Sequence, residues 1–126
     1  HQGAIGAGVD IGTGRTLAAV WYNEVIEDHP DTGNAVRGVV IPNWLRLLAL
    51  ASQCYELTGL GYQGVDFVLD RDRGPLMLEL NARPGLNIQI ANHAGLYHRL
   101  RQVEQNHAKL EGARSRIAFA IRHFGA

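Results

Sequence analysis

Two carboxylates and an amide carry the clearest chemistry in this sequence: Asp66, Glu79 and Asn81, in the pattern Asp-x₁₂-Glu-x-Asn. They lie in two stretches, residues 62–70 and 75–82, whose apolar residues alternate with period two, the signature of half-buried strands. Asp70-Arg71-Asp72-Arg73-Gly74-Pro75 is the turn between them, and Arg83-Pro84-Gly85 breaks the second strand. A symmetric four-residue loop at 71–74 sets Asp66 directly opposite Glu79, with Cβ atoms about 4.5–5.5 Å apart. Asn81 is two residues further along the same face. Val65, Phe67, Leu69, Leu76, Leu78 and Leu80 then form a core face, and Asp66, Val68, Met77, Glu79 and Asn81 the other. Facing carboxylates repel unless a shared proton, an arginine or a cation compensates. Two carboxylates and an amide oxygen are hard ligands of the kind Mg²⁺ takes, with substrate phosphates completing its octahedron. The plainer alternative is an exposed sheet face with solvated acids. Pro84-Gly85 favours a site, because it bends the backbone where a ligand can meet free N–H groups.

The elements around this hairpin are legible from spacing. Residues 4–11 form a glycine-rich strand and Thr16 to Tyr22 a second, joined by the turn Gly12-Thr13-Gly14-Arg15. Residues 27–38 are a polar loop, and Val39-Val40-Ile41 is extended. Pro42 suits a first helical turn. From Asn43 the stripe Leu45, Leu48, Ala51 or Ser52 and Tyr55, with Leu47, Cys54 and Leu57 beside it, predicts a helix to residue 58 that Gly59 ends. Ile88 to Ala94 is a short helix or turn. Leu96, Leu100, Val103, His107 and Leu110 predict a further helix, Gly112 interrupts, and Ala113, Ile117, Ala120 and Phe124 predict the last.

Composition sets the frame. The 126 residues include 46% apolar and 19% charged side chains, enough for a packed core in one domain. Twelve basic and twelve acidic groups give no net charge, which argues against wrapping nucleic acid. The C-terminal 34 residues carry six basic and two acidic groups, in keeping with solvated helix faces. No run reaches the roughly 18 apolar residues of a membrane span. Cys54 is the single cysteine, so no intrachain disulfide forms, and a reducing, cytoplasmic location is expected.

The run Gly64-Val65-Asp66-Phe67-Val68-Leu69-Asp70-Arg71-Asp72-Arg73-Gly74-Pro75-Leu76-Met77-Leu78-Glu79-Leu80-Asn81-Ala82-Arg83-Pro84-Gly85-Leu86 closely resembles the C-terminal metal-binding hairpin of ATP-grasp ligases, in particular RimK-type α-L-glutamate ligase-like proteins. His1-Gln2-Gly3-Ala4 and Gly61-Tyr62-Gln63-Gly64 extend the resemblance, which covers residue 1 to about residue 95. It implies an α+β fold, the C-terminal ATP-grasp subdomain, with a mostly antiparallel sheet flanked by helices. It implies that a carboxylate and ATP form an acyl phosphate, which an amine, glutamate among them, converts to an amide. Asp66, Glu79 and Asn81 would then bind one or two Mg²⁺ ions, or Mn²⁺, at the nucleotide phosphates. Arg83 and the backbone at Gly85 would lie near the transferred phosphoryl group or the acyl substrate.

The sequence also departs from the family. Arg83 stands where ligases often have Ser or Thr, the Asn before the His-containing segment is missing, and the single lysine, Lys109, is far from any phosphate-binding position. Residues 1–126 are therefore expected to be one domain, the C-terminal part of the fold without its N-terminal part. Alone it is expected to be inactive and to self-associate through exposed apolar surface.

Other readings compete. Val9-Asp10-Ile11-Gly12-Thr13-Gly14-Arg15-Thr16-Leu17 resembles the phosphate loop of actin-like sugar kinases and chaperone ATPases. A degenerate ATP-grasp scaffold is a second alternative, against which the retained Asp66, Glu79 and Asn81 argue. Gly6-x-Gly8 lacks the third glycine and helix of a dinucleotide loop. Asp31-Thr32-Gly33 reads as a turn. His93, His98 and His123 have no partner at metal-ligand spacing, His29 and His107 read as loop and helix surface, and Trp21 and Trp44 read as packing residues.

Overall fold

A computed structural model describes residues 4–86 and 95–126. The expected helix or turn over Ile88–Ala94, with His93, and the segment His1-Gln2-Gly3 lie outside the described residues.

The chain is α+β, as expected, but its antiparallel strands form two sheets. In the first, β1 (Gly6–Val9) pairs with β2 (Thr16–Trp21), and β2 with β3 (Glu24–Ile26). The third strand is absent from the sequence-based expectation. It exists because Tyr22 and Asn23 both adopt positive φ, 46° and 66°, and close a two-residue turn that sets Trp21 opposite Glu24. Val39 and Ile41 run past the start of β2: Thr16 N–H donates to Val39 O and Ile41 N–H to Gly14 O, both at 2.9 Å. The second sheet is the hairpin β4 (Gly64–Asp70) and β5 (Gly74–Asn81).

Helix α1 (Trp44–Thr58) joins the two sheets. It starts later than Pro42 suggests, because Asn43 takes the left-handed conformation as its N-cap, and it ends at Gly59, also left-handed, whose N–H bonds Tyr55 O at 2.8 Å. Trp44 covers the turn after β1. Its indole N–H donates to Ile11 O at 2.9 Å, and its ring fills the space where a Cβ on Gly14 would sit, 2.5 Å from Cγ. At the other end of α1 the buried Cys54 Sγ lies 3.7 Å from Met77 Sδ in β5. Ala19, Leu47 and Cys54 are the buried apolar centre among the described residues.

Helix α2 (Leu96–Asn106) passes into a 3₁₀ turn (His107–Lys109), one residue short of the expected Leu110. Helix α3 (Gly112–Phe124) then packs along α1. Arg116 fixes that contact: Nε donates to Ser52 Oγ and an Nη to Ser52 O, each at 3.0 Å, and the same Nη pairs with Glu56. Its guanidinium also sits 5.1 Å from the centroid of the Tyr55 ring. Among the described residues no helix is long and apolar enough to cross a membrane.

Candidate functional site

The hairpin is built differently from the symmetric loop its sequence suggests. Asp70 pairs with Gly74, leaving a three-residue loop. Asp70 Oδ1 accepts the N–H groups of Asp72 (2.9 Å) and Arg73 (2.8 Å), and Gly74 at φ 76° supplies the left-handed residue such loops need. Phe67 then pairs with Met77 and Val68 with Leu76, one residue out of the symmetric register. A β-bulge corrects this: Leu78 is left without a partner, and Asp66 pairs with Glu79, Val65 with Leu80 and Gly64 with Asn81.

The bulge moves two apolar residues. Cross-strand partners share a face, so Met77 joins Phe67 and Val65 on the face toward Cys54, and Leu76 joins Val68 on the face with the carboxylates. Met77 and Leu76 thus exchange the faces that plain alternation predicts. Leu78, expected in the core, is 69% exposed, and Leu69 is also exposed, beside the loop.

Asp66, Glu79 and Asn81 therefore lie on one face at neighbouring ladder positions, all exposed. Among the described residues no three His, Cys, Asp or Glu side chains cluster for a metal, so the oxygen-bearing groups on this face are two carboxylates and an amide. That set matches an ion of Mg²⁺ type, which keeps several waters and takes few protein ligands. Asn81 Oδ1 already accepts the Arg83 N–H at 2.9 Å, which leaves the oxygen a second lone pair. Arg83 is exposed in the turn that follows β5, and a Cβ on Gly85 would meet nothing within 4 Å. The segment after Asn81 folds back on the hairpin: Pro84 Cβ lies 2.9 Å from where a Gly64 Cβ would be. Sequence reasoning did not find that contact, although a glycine opening a strand is the sign of close approach.

An apolar cleft of about 610 Å³ opens between α1, α2 and α3, with Val65, Val103 and Ile117 in its wall. Val65 belongs to the hairpin face opposite Asp66, so the cleft is separate from the carboxylate pair.

The phosphate-loop alternative fails on geometry. Asp10 is only 8% exposed, and its carboxylate is taken up by the protein itself. Oδ1 accepts Gly12 N–H at 3.2 Å and Ala126 N–H at 2.8 Å; Oδ2 accepts Thr13 N–H at 3.0 Å and the Thr13 hydroxyl. Those bonds, the Thr13 hydroxyl foremost, hold its carboxyl below the usual aspartate range against the opposing effect of burial. Asp10 is a structural anchor that ties the β1–β2 turn to the end of α3. Asp31-Thr32-Gly33 is a turn, as expected, with Gly33 N–H on His29 O at 2.8 Å and Asp31 N–H on His29 Nδ1 at 3.2 Å.

An α+β unit of antiparallel sheets flanked by helices is consistent with an ATP-grasp subdomain. The chain belongs to the sugar-transfer associated ATP-grasp family, whose model matches residues 1–105. No curated protein and no solved structure matches it. Membership places the protein among ATP-dependent, ligase-like enzymes, a family that in general uses ATP and Mg²⁺.

Proposed function

We propose that the protein is an ATP- and Mg²⁺-dependent carboxylate–amine ligase that makes an amide bond through an acyl phosphate. The observation that supports this most is the register that sets Asp66 opposite Glu79, with Asn81 next on the same face. Asp66, Glu79 and Asn81 are the residues that would hold the ion or ions. When bound, Mg²⁺ neutralises charge on the β- and γ-phosphates and keeps the γ-phosphoryl group in line with its acceptor. Arg83 is suited to pair its guanidinium with the transferring phosphoryl group or the acyl carboxylate, and the Gly85 backbone can approach a ligand without hindrance. A carboxylate oxygen attacks the γ-phosphorus and ADP leaves. The amine then attacks the acyl carbon, phosphate leaves, and the amine gives up a proton.

We read residues 1–126 as the C-terminal part of an ATP-grasp fold, whose other subdomain would supply phosphate-binding lysines; Lys109 is the one lysine here. Leu57, Leu78 and Tyr97, each about two-thirds exposed or more, are apolar surface through which that subdomain or a second copy would dock. RimK-type chemistry, with glutamate as the amine, is the specific form proposed. The family's association with sugar transfer puts sugar acids and amino sugars into the substrate panel as well.

The test is ADP release by the full-length protein from Mg²⁺-ATP across a panel of carboxylates and amines, comparing wild type with Glu79→Ala. Amine-dependent turnover that Glu79→Ala abolishes supports the ligase. Turnover independent of amine and indifferent to the substitution would leave a scaffold derived from the fold.

A further inference from the structure

Gly64 is the residue whose identity nothing in the strand itself explains. Its φ is outside the left-handed region, so any side chain could adopt its backbone, and glycine weakens a strand. Space is what excludes a side chain. A Cβ there would lie 2.9 Å from Pro84 Cβ, closer than real Cβ contacts, whereas Asn81 Cβ at 3.5 Å and Pro84 Cγ at 3.7 Å are ordinary contacts; a proline ring, tied to its own backbone, cannot swing aside. Gly61 and Gly85, on either side of the same region, have nothing within 4 Å. The crowding therefore belongs to one contact, between the first residue of β4 and the turn after β5.

That contact sits beside the amide of the donor set. Gly64 is the ladder partner of Asn81, and Asn81 Oδ1 closes the turn by accepting Arg83 N–H at 2.9 Å. Pro84 on Gly64 and Arg83 on Asn81 are two ties on the same four-residue segment. We propose that Gly64 and Pro84 are positioning residues: their contact folds the Asn81–Pro84 turn onto the hairpin and so fixes the Asn81 side chain as a divalent-cation ligand. The proposal rests on the metal-binding role given to Asn81 above. Groups that orient a metal ligand in this way typically change affinity by about 10- to 100-fold when lost.

The test uses the protein with Mn²⁺ as the probe, its affinity followed by electron paramagnetic resonance, and amide exchange of Arg83 as a reading that needs no metal. Gly64→Ala is expected to speed Arg83 exchange and weaken Mn²⁺ binding about tenfold, with α1 amides unchanged. Pro84→Gly, which removes the contact without crowding, is expected to do the same, and the double substitution to be no worse than either. Unchanged Arg83 exchange in both single variants overturns the contact's role. Faster exchange with unaltered Mn²⁺ affinity overturns the positioning of Asn81. Wild-type protein that protects the Arg83 amide yet takes up no Mn²⁺ sinks the metal-binding role and the positioning role with it.

Discussion

Asp66 faces Glu79 across the β4–β5 hairpin because Leu78 is left out of the ladder. The three-residue loop alone would bring Leu78 opposite Asp66, and the bulge moves Glu79 into that place. The carboxylate pair therefore depends on a local irregularity, of the kind that sheets use to re-aim side chains next to sites.

That pair should make stability and activity move in opposite directions. Without divalent ions, Glu79→Gln or Asp66→Asn removes a like-charge repulsion and is expected to stabilise the fold by about 0.2–1 kcal/mol. Mg²⁺ or Mn²⁺ should raise the melting temperature of wild type and not of the variants. ATP turnover by the full-length protein should fall at least about 100-fold, roughly 2.7 kcal/mol of barrier. Thermal melts with and without Mn²⁺, beside ADP release, check all three.

The bulge predicts an inverted pair of truncations. Met77, though 46% exposed, contacts the buried Cys54, so Met77→Ala is expected to cost about 1–2 kcal/mol, whereas Leu78→Ala, at a side chain 69% exposed, should stay within about 0.5 kcal/mol. Urea unfolding of the two variants distinguishes this register from uninterrupted alternation, which predicts the reverse.

Asp10 makes stability depend on acid. Its folded-state carboxyl titrates below the unfolded value near 3.9, so its contribution is complete above that value and is lost as pH falls through the lower, folded one. Asp10→Ala should destabilise by about 1.5–3 kcal/mol at neutral pH and flatten the loss of stability as pH falls below the ordinary aspartate value. Unfolding midpoints across pH 2–7 for both proteins test this.

Gly14 and Gly33 share φ 69° but differ in surroundings. Gly33→Ala meets nothing and should cost only the left-handed penalty, about 1–2 kcal/mol. Gly14→Ala would also collide with the Trp44 ring and should cost about 1–3 kcal/mol more. Equal effects in denaturant titrations would show that Trp44 moves aside freely.

Much of this arrangement was written in residue patterns. Period-two alternation located β4 and β5, and the pairing of Asp66 with Glu79 followed from an assumed loop that turned out one residue shorter, with the bulge restoring the register. Alternation could not reveal the bulge, because Leu76, Leu78 and Leu80 look identical to an unbroken core stripe. Asp10 looked like a phosphate-loop acid because its neighbours Gly12 and Thr13 suit either use; what decides is the Ala126 N–H, 116 residues away. The stripe of α1 and its Gly59 terminus were readable, but Asn43 as the left-handed start was not, since Pro42 suggested an earlier one. The Pro84–Gly64 contact leaves no mark in the spacing of residues, and only the glycine that opens β4 hints at it.

Cys54 is 2% exposed and is the sole thiol in the sequence. Folded protein should therefore resist alkylating reagents, and the speed at which the thiol is labelled becomes a built-in clock for how often α1 lifts from β5. The same shielding lets a cysteine introduced at Ala82 carry a spin label alone, beside the face of Asp66 and Glu79 and with no background to subtract.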